Sequence, residues 1–371
     1  MVFNSIFFIF CFLPVFMLIY YLVPGKLRNL LLFLGSLIFY AWGEPVYVIL
    51  MLFSSIFNYY MGTELERLYY DDRKQKINLI FSIIINLAVL VFFKYYGFLL
   101  NTIGGIIGIH IPHPELSLPI GLSFYTFRNL SYLFDIYLSK VSAQRNFLTF
   151  SVYSTMFPYT SAGPIVRYTD IETQLKQRTI NISKFGIGAE LFVKGLAKKV
   201  LLADNLSVLY SSICGHPQMS VFTSWLGILA YTMQLYFDFS GYSDMAIGLG
   251  KMLGFDFNKN FDYPYISTSV SEFWRRWHIS LGSWFRDYIY IPLGGNRVST
   301  LKHIRNILVV WALTGLWHGA SWNFVLWGVY YGLFLLLEKF VLQKYLKKIP
   351  SWLCTVYTML AVMIGWVFFS Q

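Results

Sequence analysis

One histidine, His318, lies inside the apolar segment WALTGLWHGASWNFVLWG, and no other charged residue or histidine occurs between Arg305 and Glu338. Burying a polar ring in apolar surroundings costs free energy, and imidazole is the side chain best suited to proton transfer near neutral pH. The small residues Gly315 and Gly319 let a substrate or another helix approach the ring. We therefore interpret His318 as a candidate general base. A lone core histidine with a structural hydrogen bond is the open alternative.

A second histidine, His278, lies in the segment 271–295 (SEFWRRWHISLGSWFRDYIYIPLGG). If this segment is one helix, Trp274, His278 and Leu281 share a face, with arginines beside it. Guanidinium groups bind phosphates through charge-assisted hydrogen bonds, so a phosphate-bearing donor is one reading. An amphipathic helix at a membrane surface is the other, although it explains His278 poorly. The predicted phosphate-binding residues are Arg275, Arg276 and Arg286.

Two carboxylates occur in the segment FDFSGYSD, within an otherwise apolar run at 221–250. They are Asp238 and Asp244. A carboxylate inside a membrane is costly and therefore suggests a functional site. A structural helix contact or cap explains Asp238 equally well, because Gly241 follows it closely. Both interpretations stay open.

The elements that carry these residues belong to an integral membrane protein. Of the 371 residues, 57% are hydrophobic and 13% are charged, whereas soluble domains have about 25% charged residues. This composition excludes a cytosolic globular enzyme, a disordered protein and a secreted mini-domain. The net charge of +11 follows from the excess of Lys and Arg that membrane proteins carry in cytoplasmic loops and beside anionic lipid, so we predict no nucleic-acid partner. Cys11, Cys214 and Cys354 are predicted to be buried, unpaired residues.

The distribution of basic residues predicts the orientation of the chain. The run 2–23 reads as an uncleaved first span with its N-terminus outside, followed by Lys26 and Arg28 on the cytoplasmic side. Residues 63–76 are basic and predicted to be cytoplasmic, whereas the loop 112–118 has no Lys or Arg and is predicted to be external. The run 77–111 is expected to hold a span and a second, re-entrant piece.

The second half of the chain has broken apolar runs, such as 147–166 with its Pro158 and Gly163-Pro164. Irregular backbone at membrane depth is tolerated inside protein or beside a wet cavity. From segment lengths we predict an all-α polytopic protein with about ten or eleven membrane-embedded helices in a single domain, 1–371.

At these residues the chain resembles the membrane-bound O-acyltransferase (MBOAT) family, in its bacterial alginate-O-acetylase-like branch. The matching segments are PIGLSFYTFRNLSYLFDIY (119–137), AGPIVRY (162–168), DFSGYSDMAIGLGKMLGF (238–255), EFWRRWHISLGSWFRDYIYIPLGGNR (272–297) and TGLWHGASWNFVLWG (314–328). The resemblance implies that His318 is catalytic and that His278 supports it. It also implies a ring of tilted helices around a central tunnel. The residues expected to bind substrate are Trp274, Arg275, Arg276, Trp277, Arg286, Asp238, Asp244, Trp317 and Asn323.

The resemblance further implies transfer of an acyl group, usually acetyl from acetyl-CoA, out of the cytoplasm to an extracytoplasmic acceptor. A Ser-nucleophile partner protein and a polysaccharide or cell-wall acceptor are expected, in contact with membrane lipid at a bacterial inner membrane. No metal and no bound cofactor are expected. The open alternatives are a non-catalytic transporter or export-complex subunit and an inactive relative.

Two features depart from the family pattern. Arg128 stands where Gln is expected in the word SFYTF-R, and Asp135 lies seven residues further on, about 10.5 Å along a helix, too far for direct pairing. The sequence stops at Gln371, just after GWVFF, where relatives continue. We expect the family's C-terminal helices to be missing from this sequence.

Overall fold

The computed structural model describes residues 1–114, 116–216 and 218–370, and in this part of the chain all regular structure is helical. The first helices are α1 (Leu13–Leu22), α2 (Arg28–Gly43), α3 (Val48–Arg67), α4 (Asp72–Ile107), α5 (Leu122–Tyr137), α6 (Phe147–Thr155), α7 (Phe157–Thr160), α8 (Tyr168–Lys176) and α9 (Ile182–Ala197). They are followed by α10 (Asp204–Cys214), α11 (Val221–Met252), α12 (Val270–Arg276), α13 (Ile279–Phe285), α14 (Thr300–His318), α15 (Trp322–Leu337), α16 (Gln343–Leu346) and α17 (Ser351–Phe369). Glu115, in the predicted external loop, lies outside the described residues.

Four helical segments of the described chain are long and apolar enough to cross a membrane. They are Val48–Arg67, Asp72–Ile107, Trp322–Leu346 and Ser351–Phe369. A shorter apolar helix, Phe8–Leu22, occupies the predicted first span. These segments agree with an all-helical membrane protein. The number of ten or eleven embedded helices, their arrangement in a ring and the orientation of the loops stay predictions.

Two sequence-based expectations about local structure are wrong. The run 77–111 does not contain a re-entrant piece, because α4 is one continuous helix of 36 residues that ends at Gly108 in a left-handed conformation. Only Cys354 of the three cysteines is buried, whereas Cys11 and Cys214 are exposed on the protein. The helix is continuous because no Pro interrupts it before Gly108. The cysteines are exposed because an apolar segment can be covered by lipid instead of protein, so hydropathy does not report burial in the protein. The break predicted near Pro158 is confirmed, since α6 ends at Thr155 and α7 begins two residues later.

The contacts of the chain group it into two compact units. The first unit contains Met1–Val193 and Asp244–Asn258, and α3, α4 and α5 pack together in it. Its aromatic and aliphatic core includes Tyr40, Leu90 and Tyr125. The prediction of a single domain over 1–371 is not tested by this grouping.

Arg128, the departure from the family pattern, is fully buried in the first unit. Its two terminal nitrogens donate to the backbone carbonyls of Tyr159 (2.7 Å) and Ser154 (3.0 Å), and the guanidinium lies over the Tyr159 ring. Asp135 instead forms an ion pair with Lys140. Arg128 therefore ties α5 to the broken segment α6–α7.

The second unit contains Lys194–Ser243 and residues 259–370, and it carries both candidate histidines. In it α15 packs against α14 and α17, and the short helix α12 packs against α15 and α17. An aromatic core fills the space between these helices. Its buried tryptophans are Trp277, Trp311, Trp327 and Trp366.

Candidate active site

A cavity of about 460 Å³ in the second unit is lined by both histidines, and we call it the histidine cavity. Its walls come from α12, α13 and α14, with a contribution from α15. Trp274, Trp277 and Trp311 make most of the wall apolar, and Arg275 and Arg286 add charge. The structure thus brings together six residues that the sequence singled out. They are His278, His318, Trp274, Arg275, Trp277 and Arg286.

His318 is the last residue of α14, and its ring is held in one tautomer by the backbone. Its Nδ1 lies 2.7 Å from the carbonyl oxygen of Thr314, which can only accept, so Nδ1 carries a hydrogen. In the neutral ring the lone pair is then on Nε2. The ring packs at steep angles against Trp327 (4.7 Å between centroids) and Phe369 (5.4 Å). A base with a fixed lone pair is what general-base catalysis requires.

The glycines beside His318 serve helix packing. A Cβ on Gly315 would collide with the backbone of Phe324, and one on Gly328 would collide with the carbonyl of Trp311. A Cβ on Gly319 would collide with the Phe324 ring. Of the two possibilities raised by the sequence, substrate or helix, these positions favour the helix, because α14 and α15 approach closely here.

The sequence pattern suggested one continuous helix through His278, but the structure has a break there. Helix α12 ends at Arg276, and His278 has φ +45° and ψ +53° before α13 begins. This left-handed conformation is unfavourable for a residue with a Cβ and concentrates at functional sites. The ring is buried, and it meets Phe239 edge-on at 4.7 Å. Trp274 and His278 therefore reach the same cavity through a kink.

The environment of His278 includes a residue that sequence reasoning missed. Its Nδ1 lies 3.2 Å from Oδ1 of Asn260, which is itself buried in the loop after α11. Asn260 is 18 residues away in sequence, outside every helical pattern, so no periodicity could have indicated it. Only the folded chain brings the two side chains together.

A second missed residue, Glu338, fixes the position of α12. Its buried carboxylate accepts hydrogen bonds from the backbone N–H groups of Val270 (2.6 Å) and Ser271 (2.8 Å) at the start of that helix. It also accepts from the Ser271 hydroxyl and from Tyr357. A carboxylate at a helix N-terminus satisfies donors that have no partner within the helix. An isolated Glu at the end of an apolar run was the only sequence feature that pointed to it.

The three candidate arginines differ in their partners. Arg276 is held by Glu272 (2.8 Å) and by Asp262 (3.6 Å), which favours a structural role. Arg286 pairs with its neighbour Asp287 (2.7 Å). Arg275 is exposed, and within the described residues it has neither an ion pair nor a hydrogen-bond partner.

The remaining candidates lie away from the cavity lining. Asp238 forms an ion pair with Lys199 (2.5 Å), which also pairs with Asp204, and this favours the structural interpretation of Asp238. Asp244 is half-buried in the part of α11 that belongs to the first unit. Trp317 contacts the rings of His278 (6.0 Å) and His318 (5.0 Å), while Asn323 is half-buried near the start of α15. Direct substrate binding by these residues stays a prediction.

The site is a largely apolar cavity that contains two imidazoles, in an all-helical protein. Comparison with known sequences gives the class of this protein. Residues 44–370 match the profile of MBOAT, the membrane-bound O-acyltransferase family, and the chain belongs to this family. It is therefore an integral membrane acyltransferase.

Three relatives illustrate the range of the family. The chain is 43% identical to the probable alginate O-acetylase AlgI of Pseudomonas aeruginosa, over all of this chain and 72% of that protein. It is 34% identical to the peptidoglycan O-acetyltransferase of Helicobacter pylori, over all of this chain and 77% of that protein. It is 29% identical to the teichoic acid D-alanyltransferase of Bacillus subtilis, over 70% of this chain and 68% of that protein.

Proposed function

We propose that this protein transfers an acetyl group from cytoplasmic acetyl-CoA to a hydroxyl group on an extracytoplasmic polysaccharide or cell-wall acceptor, across a bacterial inner membrane. A Ser-nucleophile partner protein completes the transfer. The observation that carries this proposal is the pair of imidazoles lining one cavity, His278 and His318. The names of the alginate and peptidoglycan relatives support acetyl as the group and a cell-surface polymer as the acceptor.

In this mechanism His318 acts on the acceptor. Its Nε2 takes the proton of the acceptor hydroxyl as that oxygen attacks the thioester carbonyl, forming a C–O bond. Collapse of the tetrahedral intermediate breaks the C–S bond, and the proton on Nε2 passes to the departing sulfur. A free hydroxyl has a pKa far above neutral, so attack at neutral pH needs a base at hydrogen-bond distance. The hydrogen bond from Nδ1 to Thr314 supports Nε2 as that base.

Recognition of the donor is assigned to a second cavity of about 500 Å³ in the same unit, which we call the basic cavity. It shares Ser271 and Arg275 with the histidine cavity and is also lined by Lys339 and Lys347. Within the described residues none of these three cations has a carboxylate partner, whereas the nearby Glu338 carboxylate is occupied by the start of α12. Unpaired cations suit the phosphates of CoA. The shared wall at Arg275 supports a thioester reaching from the basic cavity towards the histidines.

Sealed membrane vesicles of both orientations test the donor and its sidedness. The vesicles are prepared inside-out or right-side-out from cells that express the chain with its polysaccharide-modifying partner. Radiolabelled acetyl-CoA is then added to the external medium. We expect label in polymer only when the cytoplasmic face is accessible, and none with His318→Gln. Equal labelling from both faces would overturn the sidedness, and labelling from acetyl phosphate but not acetyl-CoA would overturn the donor.

The transporter alternative loses its support because the chain belongs to an acyltransferase family and its cavity contains base-competent side chains. A polysaccharide preference is testable in the same vesicles. Supplying alginate, peptidoglycan fragments or teichoic acid as the sole acceptor separates the three specificities that the relatives' names represent.

A further inference from the structure

We propose that Asn260 is a positioning residue that keeps the ring proton of His278 on Nδ1, so that Nε2 of His278 accepts a hydrogen bond from a substrate in the histidine cavity. The substrate part of this inference rests on the proposed acyl transfer. The proton placement does not, because it follows from the hydrogen-bond network alone.

The orientation of the Asn260 amide is fixed by a group that can only donate. The backbone N–H of Ser280 lies 3.2 Å from Oδ1, and the Ser280 hydroxyl donates to the same oxygen at 2.9 Å. On the other side Nδ2 donates to the buried hydroxyl of Ser243 at 3.1 Å. A flipped amide would turn its NH₂ group towards a backbone N–H, so the oxygen must face Ser280.

The fixed oxygen determines the tautomer of His278. Oδ1 has no hydrogen, and it lies 3.2 Å from Nδ1, so their hydrogen bond requires a proton on Nδ1. The Ser280 hydroxyl also lies 3.5 Å from Nδ1, but its one hydrogen is donated to Oδ1, so it too can only accept from Nδ1. A neutral imidazole has one ring N–H, which leaves the lone pair on Nε2. Asn260 is buried, so no bulk water replaces it as the acceptor.

The backbone of Asn260 holds the kink that places this ring. Its carbonyl accepts the N–H of Ile279 at 2.9 Å, directly after His278 with its left-handed φ of +45°. Phe239 meets the imidazole edge-on at 4.7 Å, which restricts rotation of the ring. Asn260 therefore constrains both the main chain and the side chain of His278.

The Nε2 atom of His278 is buried and has no hydrogen-bond partner within the described residues. A buried acceptor without a partner is costly and calls for an explanation. His278 lines the histidine cavity, so a donor group of a bound substrate is the natural partner. The acceptor hydroxyl and the amide N–H groups of the donor's pantetheine arm both have this chemistry.

The first measurement is ¹⁵N NMR of histidine-labelled protein in nanodiscs at neutral pH. The His278 resonances are those that disappear in His278→Gln. We expect a protonated Nδ1 and an unprotonated Nε2 in the full chain, and a change towards Nε2–H in Asn260→Leu, which keeps the branched shape of the side chain but has no acceptor. A wild-type His278 with its proton on Nε2 would overturn the inference, even if Asn260→Leu does not fold. The spectrum needs no turnover, so a chain without acyl transfer refutes the proposed function and leaves this test intact.

The second measurement separates positioning from folding by acetyl-transfer kinetics. Asn260→Leu should lower kcat between about 10- and 100-fold with little change in donor KM. The reason is that a misplaced His278 ring slows the reaction of the substrate that is already bound and leaves donor binding unchanged. Asn260→Asp keeps an acceptor oxygen towards His278 and should restore most of kcat. Ser243→Ala is the matched control, since it removes the partner of Nδ2 and leaves Oδ1 in place. Equal kcat in folded Asn260→Leu and wild type, or equal losses in Ser243→Ala and Asn260→Leu, would contradict the inference.

Discussion

Replacing His318 with Gln should remove the base and leave the fold intact. A positioned general base contributes about 10²–10⁴-fold, or about 2.7–5.4 kcal/mol of barrier. The glutamine amide can still donate to the Thr314 carbonyl that the imidazole now contacts, so the loss of stability should stay below about 1 kcal/mol. Ala would also remove ring contacts with Trp327 and Phe369, at a combined cost of about 2–4 kcal/mol. Gln is therefore the decisive variant.

The assay is acetyl transfer in membranes at matched protein levels, together with thermal unfolding of each purified variant. His303→Gln is the matched control, because His303 is a buried histidine on the same helix α14 and does not line the histidine cavity. It should keep a rate near that of wild type. If His318→Gln retained more than about a tenth of the wild-type rate, catalysis by this base would be refuted, since the lower bound is about 10²-fold. His278→Ala should be milder than His318→Gln if it only orients a substrate.

Three further predictions concern the donor, the topology and the support of α12. Arg275→Ala should raise the donor KM more than it lowers kcat. Arg276→Ala breaks ion pairs with two carboxylates and should instead lower the unfolding temperature. A donor KM that is the same in Arg275→Ala and wild type at every salt concentration would exclude Arg275 from the donor site. In a cysteine-free background, Tyr70→Cys should react with an impermeant thiol reagent that is applied from the cytoplasmic side, and Glu115→Cys should react with reagent applied from outside. Labelling of Glu115→Cys only from the cytoplasmic side would contradict the predicted topology. Glu338→Gln should lower the free energy of unfolding by about 1–3 kcal/mol, measured by denaturant titration, and an unchanged value would show that this carboxylate does not anchor α12.

Much of the site was predictable from residue types alone. His278, His318 and Arg275 stand out in the sequence because a polar side chain in an apolar run needs a reason, and the structure brings all three to one cavity. Some helices were also predictable, because a long apolar run indicates a helix. The apolar run 221–250, which coincides with α11 (Val221–Met252), is an example.

What the sequence determined by itself is therefore the class of protein and the identity of its chemical groups. Local composition is enough for both, because membrane insertion depends on the hydropathy of each segment. Only the tertiary structure decided how those groups are held. Asn260 sets the tautomer of His278 from 18 residues away, and Glu338 anchors α12 from 67 residues beyond Ser271. Hydrogen bonds between such distant residues leave no periodic pattern, because their geometry exists only after the helices have packed.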